Sequence, residues 1–555
     1  MNRKNDGMLY TILLCIAMTL LTTQNMVGAN KNNKELNIIG TGNPYLPLWE
    51  FIPDGEPYVF EDPDCPGKYR VYIYGSHDNL KWMYCGRDQV VWSAPIEDLT
   101  RWRYDGVIFK VNESPELYKL NADGTDDVLF APDVTVTTDT DGKKTYYLFP
   151  NNQGSGRNSM IAKSDRPDGP FTVCNWNKER PRETFGCLGF DPAVFVDDDG
   201  RVYGYWGFGI SHGAELDPAT MCTVKPGTEV VENMISGYRQ EGIFRFFEAS
   251  SIRKIEDKYV FIYSRTTAEG EDGLPNASNY TLAYAYSEHP LGPWTYGGTI
   301  IDARAREYDE KGNVIASAMP GGNTHGSICK IGGQWYVFYH RQIGTDCYAR
   351  QAMVSAIDVK VEKGKGGKVV ISRGEFNSEG FLLEGLNPMQ RISAGLACWH
   401  TNPGGIKEVY PHYVYTGSYI RPVYRDNNPY AGDNNHKIPF APVVNNTSGS
   451  IVGYKYLNMN AVPRDKSLQM QLRLKAEDTD GRIRIMLGSP WTTKGGVEIG
   501  LVDVKAGSTC REFYAPLSIP AKLHKGKQPL FFVFESETEG QSICEFYDFL
   551  MLARP

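Results

Sequence analysis

The sequence contains no Cys-x-x-Cys pair, and its 11 cysteines and 9 histidines nowhere adopt the spacing of a zinc site. It also lacks a basic tract. Lysine and arginine number 58 against 66 aspartates and glutamates, a formal charge of −8, so nucleic acid and anionic membranes find no electrostatic footprint. After the first thirty residues no apolar run approaches the length of a membrane span. No Asp-x-Asp-x-Asp-Gly loop carries a glutamate at its twelfth position, which excludes an EF-hand. Charged residues at 22% and apolar ones at 41% exclude wholesale disorder. Aromatic residues and turn formers are abundant: 34 Tyr, 24 Phe and 10 Trp stand beside 57 Gly and 33 Pro. That combination favours short strands joined by tight loops, an all-β chain.

The first thirty residues read as an address. Arg3 and Lys4 precede an apolar run from Leu9 to Leu21, and Val27-Gly28-Ala29 supplies small residues before a cut at Asn30, the pattern of a signal peptide over residues 1–29. The expectation is an exported protein, periplasmic or extracellular, with no membrane span and a monomeric state. Ten cysteines remain after the cut, scattered from Cys65 to Cys544. An exported chain can pair them, but a chain of this size has core enough to use most of them as small apolar residues.

Internal similarity is the informative feature. One aromatic, β-branched phrase occurs five times: Lys68–Tyr74, Thr145–Phe149, Arg201–Trp206, Lys258–Tyr263 and Gln334–Tyr339. Four copies follow a turn signal (Pro66-Gly67, Asp141-Gly142, Asp199-Gly200, Gly332-Gly333), so each reads as the second strand of a hairpin. Upstream of each lies a shorter phrase with an ionisable residue: Glu56, Asp133, Asp191, Glu248 and His325, at intervals of 77, 58, 57 and 77 residues. About four strands and their loops fill such a unit, the size of a propeller blade. In a propeller the first strand of every blade lines the axis, so five equivalent strand entrances bring these side chains into one pocket. Each acid alone could cap a turn or pair with an arginine; recurrence at one repeat position argues for function.

Glycoside hydrolysis uses such a cluster. One carboxylic acid protonates the leaving oxygen while a carboxylate activates water or attacks, and a neighbouring negative charge keeps the acid protonated. Aromatic faces accept the C–H faces of sugar rings. Two other readings compete, a non-catalytic glycan-binding protein on the same scaffold and a calcium-stabilised adhesive propeller.

The motifs resemble a known family. Phe190-Asp191-Pro192-Ala193-Val194-Phe195 before Asp198-Asp199-Gly200 resembles the third-blade signature of family 43 glycoside hydrolases, and Phe247-Glu248-Ala249-Ser250 resembles the fourth. Phe130-Ala131-Pro132-Asp133-Val134 resembles the second-blade phrase, and Asn323-Thr324-His325-Gly326 with Phe338-Tyr339-His340-Arg341 the fifth. The resemblance implies a five-bladed propeller over residues 40–385 and inverting hydrolysis of arabinofuranosyl, xylosyl or galactosyl linkages in plant-type polysaccharides. It makes Glu248 the general acid and Asp191 the residue that raises its pKa and orients it. It places His325 at the pocket floor, where relatives hold a water or calcium; no cofactor is required, and a structural calcium ion is allowed. The first blade departs from the family's Ala-Asp-Pro. Glu56 precedes Pro57 and takes the base position in strand register, with Asp54 its substitute or a substrate ligand. Asp133, Trp206, His77 and Arg350 complete the expected substrate-binding set.

After residue 385 the blade phrases stop. Alternation in Leu468–Leu474 and Arg482–Leu487, and the apolar run Pro529–Phe534, predict a β-sandwich over 386–555. This part resembles family 6 carbohydrate-binding modules, with Trp491 either a stacking platform or a packing residue.

Overall fold

The computed structural model describes residues 42–111, 127–154, 156–319, 321–424 and 441–554; the signal-peptide reading of residues 1–29 lies outside them. Four antiparallel four-stranded sheets follow one another along the chain. The first contains β1 (Glu56–Glu61), β2 (Tyr69–Tyr74), β3 (Asp88–Pro95) and β4 (Arg103–Lys110). The second contains β5 (Asp133–Thr138), β6 (Lys144–Phe149), β7 (Ala162–Ser164) and β8 (Thr172–Val173). In the third are β9 (Ala193–Val196), β10 (Val202–Trp206), β11 (His212–Leu216) and β12 (Val231–Glu232), and in the fourth β13 (Phe246–Ile255), β14 (Lys258–Arg265), β15 (Thr281–Ser287) and β16 (Thr295–Asp302). After a small hairpin of β17 (Arg306–Tyr308) and β18 (Val314–Ala316) comes a fifth sheet of three strands, β19 (Ser327–Ile331), β20 (Gln334–Gln342) and β21 (Arg350–Ile357). The fifth blade is thus one strand short of the expected four.

Each repeated phrase forms the second strand of its sheet, because alternating aromatic and β-branched residues suit a strand covered on both faces. All eight residues of β14 are buried. The preceding turns need a left-handed residue: Gly200 takes φ 81°, while in the fourth blade, which has no turn glycine, Glu256 adopts φ 57°. The first strands β1, β5, β9, β13 and β19 neighbour one another around a common axis. β5 packs on β9, β9 on β13, β13 on β19 and β19 on β1, and the Tyr58 hydroxyl of β1 donates to Asp133 Oδ1 of β5 at 2.6 Å. A backbone bridge between Gly55 and Gly326 joins the first and fifth entrances. These sheets form a five-bladed propeller. Its closure is reinforced by buried Asn43, whose amide donates to the Val354 and Asn377 carbonyls at 2.7 and 3.0 Å and accepts from the Val354 N–H at 3.0 Å. Each such buried bond contributes about 1 kcal/mol net, and leaving one unmade costs more.

Beyond the propeller two sheets face each other. One pairs Ile451–Asn458, Lys527–Glu535, Gly481–Leu487 and Val497–Val504; the other is centred on Cys544–Arg554 and Ser467–Ala476. Their core is a sandwich of Val452, Leu472, Ile485, Phe532 and Phe549, but it also takes in Leu48, Phe51, Ile343 and Ala349 from the propeller side. The described residues belong to one compact unit. Trp491 packs on Trp399 with ring centroids 6.0 Å apart. No helix among the described residues is long and apolar enough to cross a membrane. All ten cysteines from Cys65 onward are unpaired, and five are buried.

Candidate active site

The blade entrances surround a pocket of about 400 Å³ at one end of the axis, lined by Asp54, Asp191, Glu248, His325 and Arg350 among others. Three of the acids sit at or beside left-handed backbone: φ is 61° at Asp54, 49° at Asp191 and 70° at Ala249, next to Glu248. Aspartate tolerates that region better than most residues, whereas alanine pays a cost of about 1–2 kcal/mol. At Ala249 the turn is part of a β-bulge. Glu248 pairs with Ser264, but the next pair is Ser251 with Ile262, leaving one extra residue on β13. The bulge re-aims Glu248 into the pocket and directs the Ala249 N–H onto Asp191 Oδ2 at 3.0 Å.

Glu248 is buried, and the Asn323 amide donates to it at 3.3 Å. Burial first, then the negative charge of Asp191, push its pKa up to about 8. Asp191 is itself held by the Asn151 amide at 2.7 Å and faces His325 Nδ1 at 3.5 Å. Asp54 has the opposite environment. Burial alone would raise its pKa, but the Arg350 guanidinium, 3.1 and 3.2 Å from its two oxygens, outweighs burial and holds it well below the usual carboxylate range. Ser76 Oγ donates to the same carboxylate at 2.5 Å. His340 Nδ1 accepts from the Asp54 N–H at 3.3 Å while Nε2 faces the Asn323 carbonyl at 2.9 Å. Burial lowers the His340 pKa, consistent with a neutral ring protonated on Nε2. Arg350 is fixed from behind by two bonds to Asp78, at 2.9 and 2.8 Å, and lies over the Tyr84 ring at 4.8 Å.

The structure corrects the sequence reading in the first blade. Gly55 and left-handed Asp54 break the extended backbone before β1, so Asp54 and Glu56 do not present their side chains alike. Asp54 lines the pocket; Glu56 does not. Glu56 lies beneath the floor, bound by Arg253 Nη2 at 2.7 Å and Ser251 Oγ at 3.2 Å. Asp133 also sits in this lower layer, between Tyr58 and the Val194 N–H. Burial and the Glu56 charge push its pKa up to about 7. Two further expectations are overturned. Trp206 ends the central strand β10 and packs among Phe149, Leu188 and Val194; His77 is clamped by Asp88 and Glu50 at 2.7 and 3.2 Å. Neither reaches the pocket. His325 does. Burial opposes its charge, but Asp191 and the other acids raise its pKa to about 9, and its Nε2 faces Glu56 Oε1 at 4.0 Å. Among the described residues no three His, Cys, Asp or Glu side chains converge as a metal site.

Residue-by-residue reading missed the pocket's aromatic arc. Phe130, Phe190 and Phe247, each at the head of a blade phrase, join Phe208 along one wall, with ring centroids 5.7, 5.5 and 5.0 Å apart in sequence. Their signal was the phenylalanine preceding the second-, third- and fourth-blade acids. Glu408, Tyr410 and Tyr413 also line the pocket, and no repeat marks them.

The family model described as Glycosyl hydrolases family 43 matches residues 61–362, more than half of the chain. The protein belongs to this family. It is therefore a glycosidase. The family 43 match begins after Asp54 and ends before Glu408, so two walls of the pocket lie outside it. A xylosidase/arabinosidase of Thermoclostridium stercorarium is 32% identical over 498 residues, covering 87% of this chain and 94% of that protein. An arabinoxylan arabinofuranohydrolase of Paenibacillus polymyxa is 27% identical, covering 68% of this chain and 59% of that protein. Among solved structures, a family 43 arabinoxylan arabinofuranohydrolase from Bacillus subtilis in complex with cellotetraose aligns with TM-score 0.44 and 20% identity, over 92% of this chain and 97% of that one.

Proposed function

We propose that this enzyme removes terminal pentosyl groups, α-L-arabinofuranosyl or β-D-xylosyl, from arabinoxylan-type glycans in a single inverting displacement. Asp54 takes a proton from water as the water attacks the anomeric carbon. Glu248 gives its proton to the glycosidic oxygen as that bond breaks, and Asp191 keeps Glu248 protonated. The products are the free pentose and the shortened glycan. The observation that carries this reading is one pocket holding two carboxyl groups in opposite environments, Asp54 bridged to Arg350 at 3.1 and 3.2 Å and Glu248 buried near Asp191, which push their pKa values apart. The names of the Thermoclostridium stercorarium and Paenibacillus polymyxa relatives support a pentoside.

The test is hydrolysis of 4-nitrophenyl α-L-arabinofuranoside, β-D-xyloside and galactosides, then of arabinoxylan, with proton NMR of the first-formed sugar. We expect turnover of a pentoside with inverted anomeric configuration, and Glu248→Gln slower by about 10²–10⁴-fold on natural linkages. A retained configuration, or activity confined to galactosides, would overturn the proposal.

A further inference from the structure

The third wall of the pocket comes from outside the propeller. Residues Ile406–Val409 and His412–Tyr415 form a two-stranded hairpin in which Glu408 pairs with Tyr413. Backbone bonds fasten it to the loop before β21: the Tyr413 N–H donates to the Thr345 carbonyl at 2.9 Å, and the Cys347 N–H to the Pro411 carbonyl at 3.2 Å. Tyr413 is buried and anchors the hairpin, whereas Tyr410 at its turn is 69% exposed, a large aromatic face kept at the mouth of a polar pocket. The Glu408 carboxylate lies against the glycine turn before Asn323; a methyl group on Gly321 would sit 3.6 Å from its Oε2. Asn323 is the hydrogen-bond donor to Glu248. Tyr410 also lies within the electrostatic reach of Glu248. Tyr410 meets Tyr84, which covers Arg350, but through Glu408 and the turn before Asn323 the hairpin adjoins the proton donor, where the departing part of the substrate must lie.

We infer that the hairpin at residues 406–415 is the leaving-group subsite: Tyr410 stacks on the sugar behind the scissile bond, and Glu408 accepts hydroxyl hydrogens from that sugar. The leaving group it suits is a neutral sugar unit of a glycan chain. A uronic acid there would meet Glu408 in a pocket that already holds Asp54, Asp191 and Glu248. This inference rests on Glu248 being the proton donor, and the experiment separates the two claims. Fluoride as leaving group occupies no subsite and needs no proton, so a pentosyl fluoride reports on the rest of the site alone.

For Tyr410→Ala and Glu408→Gln, kcat/KM on a neutral xylo-oligosaccharide or arabinofuranosyl-xylo-oligosaccharide, whichever carries the pentosyl unit the wild type releases, should fall about tenfold or more, while kcat/KM on the matching pentosyl fluoride stays within about twofold of wild type. Tyr410→Trp keeps the aromatic face and should retain most oligosaccharide activity, which also shows that the hairpin still folds. Equal losses on both substrates, or none on the oligosaccharide, would overturn the subsite while leaving the pentosidase reading intact. A wild-type enzyme that cleaves neither substrate refutes both.

Discussion

At the level of single side chains, the proposed chemistry turns on the contrast between Asp54 and Glu56. They are two residues apart, both buried and both paired with an arginine, yet only one meets the pocket. Asp54→Asn should lower kcat on pentosides by about 10²–10⁴-fold, because an amide cannot take the proton of water. Glu56→Gln should keep most of the activity but lower the melting temperature, since it weakens the partner of the half-buried Arg253; a thermal melt beside the kinetics checks both. Activity lost equally in the two variants would return Glu56 to the base role. Glu248 makes a second prediction. Its pKa is raised on folding, so between about pH 4.5 and 8 the folded state binds the proton that the unfolded state has lost, and stability falls as pH rises through that window. kcat/KM should accordingly decline above about pH 8, and the wild-type melting temperature should drop between pH 5 and 8 more steeply than that of Glu248→Gln.

At the level of strands and turns, the propeller was readable because a blade's second strand has one physical demand, burial on both faces, and five stretches of the chain meet it with the same aromatic alternation. The axial position of the acids followed from that repeat. What could not be read was local backbone. Sequence alternation assumes an extended chain, and at the pocket Asp54, Asp191 and Ala249 depart from it. The preference for Glu56 failed at that point. Trp206 and His77 misled for another reason. Both are residue types that sugar sites use, but Trp206 belongs to the central strand of its blade and His77 to an ionic clamp, and only coordinates separate those settings from a pocket wall. The hairpin that carries Tyr410 belongs to no repeat, so no periodicity announces it.

At the level of the whole chain, the propeller and the sandwich are not independent. Leu48, Phe51, Ile343 and Ala349 complete the sandwich core, and the buried Arg341 of β20 donates to the carbonyls of Gly395 and Ala397. A chain cut after residue 385 leaves those apolar side chains in water and a buried guanidinium without two acceptors. It should be recovered mainly as insoluble protein, and soluble material should melt well below the full-length enzyme; a fragment with full-length yield and melting temperature would show the contacts to be dispensable. A last consequence concerns what lies under the pocket. Glu56, Ser251, Arg253, Tyr58 and Asp133 form a continuous polar column along the axis, tied by hydrogen bonds from one strand to the next. That column turns the channel into a cul-de-sac. Under the proposed hydrolysis a freed sugar has to back out through the doorway by which the glycan came in, so accumulated monosaccharide should queue against incoming chain ends.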